Sequence, residues 1–464
     1  MTNPIHYLSA TAVGTALRDG ELTSEHVTSH LLSRINELDP LIGAYSTVTA
    51  ESALRAAKVA DDQIRSGRWK GLLHGVPVAL KDILFTTDAP TTVGMGVLRN
   101  WSAPYEATAV SRLRAAGAVI LGKQKMTEGA YGAYHPSVSP PLNPWNDQYW
   151  TGHSSSGSGV ATAAGLCFAS VGTDTGGSIR FPASANGLFG LKPTWGAVST
   201  YGVFPMSPSL DHVGPLARSV HDLAAMMDAM AGWSSDDAMS LKRSGYALER
   251  IRDSARRPKV GFDRRILEQV SPDVSKALLL AARALSEAGA EVVEVLLPDF
   301  LAASEAWLPI CARDMVHSHK HLFDHAREHY GSLLREFIEF GLRVTDLELS
   351  SANHDRQVFL VGLEAVFEEV DHILLPVHPA SPMTLESLKS RPREPSRMTS
   401  FKLFTTPFNL SGHPALSMPA IQNQDGAPVG VQLVGRRGED QYLLRTGAAY
   451  ERLTELNQVH PLLK

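Results

Sequence analysis

Cysteine is nearly missing from this chain: its 464 residues contain only Cys167 and Cys311, with no C-x-x-C spacing. That excludes a disulfide framework, a zinc ribbon and a dithiol redox pair. A surplus of positive charge is missing as well. Lys and Arg total 43 against 48 Asp and Glu, a formal net charge of −5, so nothing favours contact with nucleic-acid phosphates. No apolar run approaches the roughly 18–20 residues that a membrane-crossing helix needs. The chain opens Met1-Thr2-Asn3-Pro4, without the basic and apolar stretches of a signal peptide. What is present suits a globular enzyme: 44% hydrophobic and 20% charged residues, enough for a sizeable core. The expectation is a cytoplasmic protein without a membrane or nucleic-acid partner.

Hydrophobic periodicity alternates between helix and strand. Behind Thr23, a suitable N-cap, Val27, Leu31, Ile35 and Leu38 recur at helical spacing and predict a helix ending at Pro40. Strand-like runs follow at Val76–Leu80, Ala118–Leu121, Phe168–Gly172, Val260–Phe262, Glu291–Val295, Ile373–Val377 and Val429–Val434. Alanine-rich helical stretches, notably 105–116, 158–166, 219–231 and 272–288, separate most of them. This alternation predicts an α/β architecture with a largely parallel sheet. Residues 301–371 look helical and polar, and read as an insertion or cap rather than a separate domain. Ser387–Ser400, with two prolines and three arginines, reads as an exposed loop.

Glycine and small polar residues concentrate in two segments. Gly152-His153-Ser154-Ser155-Ser156-Gly157-Ser158-Gly159 runs straight into a helical stretch; Gly172-Thr173-Asp174-Thr175-Gly176-Gly177-Ser178-Ile179-Arg180 follows a strand-like run. A Gly-Gly-Ser turn can aim several backbone N–H groups at one point, which suits an oxyanion and equally a phosphate. Taken alone, the first segment reads better as a flexible loop; two such segments separated by one helix and one strand point to a site.

A serine nucleophile needs a base. No serine lies in G-x-S-x-G, none is followed by lysine three residues later, and H-E-x-x-H and the P-loop pattern are absent. Lys81 remains, closing the apolar run in Gly75-Val76-Pro77-Val78-Ala79-Leu80-Lys81-Asp82. An ammonium there would be partly desolvated, which brings the neutral amine within reach. For a single lysine, a solvated strand end is the competing reading.

Together the blocks GVPVALKD, GHSSSGSGVATAAG and GTDTGGSIRFPASANGLFGLKPTWGAVS resemble the amidase signature family, whose members use a Ser–Ser–Lys triad with the middle serine after a cis peptide bond. The likeness is densest over 71–231 and resumes at PFNLSGHPALSMP and PVGVQLVG. It implies a single large α/β domain over 1–464: a mixed, largely parallel sheet with helices on both faces, N-terminal helices in 1–70, the signature core in 71–231, and a helical cap over the cleft in 301–400. It also implies Lys81 as base, Ser154 as bridge, Ser178 as nucleophile, and the N–H groups of Thr175, Gly176, Gly177 and Ser178 as oxyanion hole. Ser155, Asp174 and Arg180 match bracing positions. The reaction implied is hydrolysis of a small or medium carboxamide through an acyl-enzyme, with no cofactor and no metal. Its partner is a small-molecule amide, and a homodimer stays open.

Departures from the family pattern accompany the match. His153 stands where the family usually has glycine, and is expected to point away from the chemistry. The stretch Lys123–Ala130 replaces a motif bordering the substrate channel, which makes Thr127, Tyr131 and His135 candidate specificity residues. His317, His321, His325 and His329 recur every four residues, but Lys320, Asp324, Arg327 and Glu328 beside them suggest a wet helix face rather than a metal site. The alternative function is the glutaminase-type subunit of a tRNA-dependent amidotransferase. Against it, the aspartate that anchors glutamine there aligns with Lys402.

Overall fold

The computed structural model describes residues 4–242, 245–246, 257–389 and 400–463. The first helices follow from their caps and stripes. In α1 (Ala10–Arg18), Ser9 accepts a hydrogen bond from Ala12 N; in α2 (Ser24–Ile42), Thr23 accepts from His26 N. The predicted stripe Val27, Leu31, Ile35 and Leu38 is buried, as is Ile42. Helix α2 runs two residues past Pro40, because a proline in the last turn removes only one donor, and Gly43 then turns the chain at φ +65°.

Eleven strands form one mixed sheet: β1 (Tyr45–Val48), β2 (Pro77–Lys81), β3 (Val119–Gln124), β4 (Ala169–Asp174), β5 (Phe189–Lys192), β6 (His212–Ala217), β7 (Lys259–Phe262), β8 (Glu291–Glu294), β9 (His372–Pro376), β10 (Ala415–Gln422) and β11 (Pro428–Gly435). Their order is β1-β3-β2-β4-β6-β5-β10-β11-β9-β7-β8. Parallel pairing is confined to two blocks, β3-β2-β4 and β9-β7-β8, which antiparallel strands join through the centre. Every residue of β2, β3, β4, β6, β9 and β11 is buried, although side chains alternate between faces, so both faces are covered. The cover comes from α2, α3 (Ala50–Arg65), α4 (Thr108–Ala115), α5 (Ser156–Ala163), α6 (Arg180–Ala185), α7 (Val220–Met230), α8 (Pro272–Glu287) and the C-terminal helix Asp440–Thr454.

The seven strands and the helical stretches read from the sequence are present within a residue or a few. The stretch read as a helical insertion forms α9 (Phe300–Ala326), α10 (Ser332–Arg343) and α11 (Asp346–Glu369); α10 and α11 both pack on α9, which also packs on the short helix Thr406–Ser411. Helix gives way to strand at β9, so the span 301–400 is not helical throughout. Residues 390–399 of the predicted exposed loop lie outside the described residues. No helix among the described residues is long and apolar enough to cross a membrane.

Candidate active site

Parallel pairing of β2 with β4 (Val78 opposite Ala169, Leu80 opposite Val171) brings the carboxyl ends of the two strands together. Lys81 ends one and Thr173-Asp174 ends the other, the position where open α/β sheets gather their reactive groups. Lys81 is fully buried; its Nζ donates to Ser154 Oγ at 2.6 Å and to Thr173 Oγ1 at 2.7 Å. Burial pulls its pKa down to about 7, against the opposing charges of Asp174 and Asp211. The reading of Lys81 as a solvated strand end is therefore not what the fold produces.

Ser154 follows a cis peptide bond from His153. Ser155 N donates to the Ser178 carbonyl at 3.3 Å, and Ser155 Oγ to the Thr173 carbonyl at 3.2 Å, which ties the serine-rich turn to the Gly-Gly-Ser loop. The approach is close: a Cβ on Gly172 would stand 2.9 Å from Ser155 Oγ. Helix α5, which follows the turn, is buried at every position, a packing that only small residues such as those of SGSGVATA allow. Ser178 is partly exposed within a loop whose neighbours are all buried.

The loop is built around Asp174. Its carboxylate accepts from Gly177 N (2.7 Å), Ile179 N (3.1 Å), Arg180 Nε and Nη2 (3.0 Å each) and Asn409 Nδ2 (2.9 Å). Burial would push this carboxyl up, but the Arg180 charge and these donors outweigh it and hold it well below the usual carboxylate range. Arg180, also fully buried, further donates to the Thr405 carbonyl (3.0 Å), Asn409 Oδ1 (2.8 Å) and Gln432 Oε1 (3.2 Å). Gly177 adopts φ +126°, and a Cβ there would lie 2.4 Å from the Phe181 ring, so no other residue fits. Asp174 engages the Gly177 N–H, whereas the N–H groups of Thr175, Gly176 and Ser178 have no acceptor among the described residues.

Several residues that sequence reasoning passed over fix the loop from outside. Trp307 Nε1 on α9 donates to the Thr175 carbonyl at 2.7 Å, and Thr405 Oγ1 to the Gly176 carbonyl at 2.8 Å. Thr175 Oγ1 donates to Asp211 Oδ1 at 2.6 Å. Burial raises the Asp211 carboxyl to about 7 against the Thr175, Ser207 and Met206 donors. Asn409 stands inside PFNLSGHPALSMP and Thr173 inside the Gly-Gly-Ser segment, so both were within reach of the motifs. Trp307 carried no signal, since its helix has no distinctive pattern.

The candidate specificity residues separate. Thr127 is buried beside the turn, its N–H donating to the Ser154 carbonyl at 3.4 Å and its hydroxyl without a partner among the described residues. Tyr131 stacks on Phe337 with ring centroids 3.9 Å apart, under the Lys402 ammonium. His135 instead bridges Ser137 Oγ (2.7 Å) and the His329 carbonyl (3.2 Å), in the seam between its loop and the end of α9. His153 lies edge-on to Trp150 at 5.0 Å; burial and the Lys402 charge lower its pKa to about 3, so it stays neutral. His317, His321, His325 and His329 are all exposed; the His321 and His325 rings stack, and Lys320 pairs with Asp324.

Comparison with known proteins adds to this geometry. The Amidase family pattern matches residues 26–444. The Mycobacterium bovis protein AmiD is 40% identical over 463 residues, covering 98% of this chain and 96% of its own. A glutamyl-tRNA(Gln) amidotransferase subunit of Chloroflexus aggregans is 37% identical, covering 98% of each chain. The structure of 6-aminohexanoate cyclic dimer hydrolase with its substrate superposes with a TM-score of 0.89 at 26% identity, over 98% of this chain and 99% of the other.

Proposed function

The chain belongs to the amidase family, enzymes acting on carbon–nitrogen bonds, and from this premise we propose that it hydrolyses a small or medium carboxamide through an acyl-enzyme on Ser178. The observation that carries the reading is the 2.6 Å contact between a buried Lys81 and Ser154, with the lysine pKa near 7. Neutral Lys81 accepts the Ser154 proton as Ser154 accepts that of Ser178. The Ser178 oxygen bonds to the amide carbon, and the oxyanion is met by the N–H groups of Thr175, Gly176 and Ser178. The proton held on Lys81 returns through Ser154 to the amine nitrogen, the C–N bond breaks, and water releases the acid by the same route. Helices α9–α11 act as a cap, with Trp307 bracing the oxyanion loop. The same reading takes the enzyme to be cytoplasmic, without cofactor or metal.

A fluorophosphonate label followed by mass spectrometry of tryptic peptides tests the roles. Modification maps to Ser178 and is suppressed in Lys81→Ala near neutral pH; a label on Ser154, Ser155 or Ser156 would overturn the assignment. The likeness to the amidotransferase protein supports a second reading, a glutaminase acting within a complex. Ammonia release from free glutamine by the purified chain would favour it.

A further inference from the structure

One cation beside the oxyanion loop has no counter-ion among the described residues. Lys402 lies just before the helix Thr406–Ser411, and its carbonyl accepts from Thr405 N (2.9 Å) and Thr406 N (3.1 Å), which fixes its backbone. Its Nζ stands 4.0 Å from the centroid of the Trp307 ring and 5.2 Å from that of Tyr131. Among the described residues the ammonium makes no hydrogen bond and no ion pair; its contacts are with the two ring faces. The same Trp307 holds the Thr175 carbonyl at 2.7 Å and packs on Gly176, so the charge is held against the loop that receives the substrate carbonyl. Its charge is also felt at His153, where it is the second of the two causes, after burial, that lower the pKa.

The described carboxylates nearby do not meet it. Asp174 is engaged by Arg180, Asn409 and backbone donors; Asp211 is engaged by Thr175, Met206 and Ser207. Burial lowers the Lys402 pKa to about 8, so the group stays largely protonated at neutral pH. Two ring faces steady a cation but accept none of its three N–H bonds, and Lys402 is only partly buried, so those N–H bonds are open to an acceptor from the solvent side. An anion arriving with the substrate would supply that acceptor.

We propose that Lys402 is a specificity-determining residue that binds a carboxylate on the substrate, so that the enzyme's preferred amides carry an acidic group close to the scissile bond. This rests on the amidase reading given above. The class is amides with a free carboxylate on the acyl or the amine side, for example half-amides of dicarboxylic acids or acylated amino acids.

The test compares matched probes that differ in the acid alone: succinyl- against butyryl-p-nitroanilide, glutaryl- against pentanoyl-p-nitroanilide, and 4-acetamidobenzoate against acetanilide. The wild-type enzyme favours the acid in at least one pair by about tenfold or more in kcat/KM, the scale of a hydrogen bond to a charged partner. In Lys402→Met that ratio falls by about tenfold, chiefly through KM, and Lys402→Arg restores part of it. An unchanged ratio in Lys402→Met, or a preference for the neutral member in every pair, overturns the proposal. Labelling of Ser178 by the fluorophosphonate keeps the two readings apart. If Ser178 does not label, the amidase reading itself fails. If it labels, glutarate or benzoate slows the reaction in the wild-type enzyme and less so in Lys402→Met. Labelling without any such protection and without an acid preference sinks the role of Lys402 alone.

Discussion

Replacing Asp211 with asparagine separates two groups that titrate in the same range. Lys81 drops from 10.5 to about 7 because it is buried. At pH 7 this raises the neutral fraction from about three in ten thousand to about half, roughly a thousandfold more base. Below that pKa the supply of base falls about tenfold per pH unit, so activation of Ser178 climbs from acid pH and levels off above about 7. Asp211 also titrates near 7 and contacts the Gly-Gly-Ser loop through Thr175, so the apparent value belongs to the coupled pair. Since the Asp211 charge raises the Lys81 pKa, Asp211→Asn moves the rising limb to lower pH without removing it. The substitution also disturbs the carboxylate bonds to Met206 N and Ser207 N, at about 1–3 kcal/mol, so the fold is checked by thermal unfolding. The assay is the second-order rate of fluorophosphonate labelling from pH 5 to pH 10, which needs no knowledge of the substrate. In Lys81→Ala the plateau gives way to a rate that keeps rising with hydroxide. A limb that vanishes in Asp211→Asn, or survives intact in Lys81→Ala, refutes the assignment of the base.

Ser178→Ala removes covalent labelling and lowers turnover by more than about 10⁴-fold, whereas Ser154→Ala loses less because a water can occupy the bridge; active-site titration and kcat/KM measure both. Arg180→Met leaves the buried Asp174 carboxylate without its cation and destabilises the fold by about 3–5 kcal/mol, read from urea unfolding. Activity survives prolonged EDTA treatment, because Lys81 and the loop N–H groups supply the base and the charge stabilisation that a metal would otherwise provide; loss on chelation and recovery with zinc would contradict this.

What the sequence revealed depended on how local the signal was. Strands β2, β3, β4, β9 and β11 are buried on both faces and stand out as apolar runs. Strands β5 and β6 were missed because FGLK is four residues long and HVGPLA contains Gly and Pro, which usually mark turns. Strand β10 carries Pro419 next to an irregularity in its pairing with β11. Edge strand β1 is short and only half-buried. At the site, Lys81, Ser154, Ser178, Asp174 and Arg180 sit inside contiguous motifs. Trp307, Thr405 and Asp211 reach the loop through contacts made across the fold, and no spacing in the sequence brings them together. The Gly177 N–H shows the same limit, since its capture by Asp174 depends on a turn geometry that the motif does not specify.

The bracing of Arg180 bears on when the protein becomes active during its own synthesis. Its bonds to Thr405, Asn409 and Gln432 span 225, 229 and 252 residues. A ribosome has therefore translated the whole Gly-Gly-Ser segment long before the residues that steady it emerge. Until then Asp174 lacks Asn409 and the Gly176 carbonyl lacks Thr405, two of the bonds that hold the loop carrying Ser178. On the proposed reading, nascent chains and fragments ending before residue 432 thus hold Ser178 and Lys81 but lack part of the bracing of the loop between them.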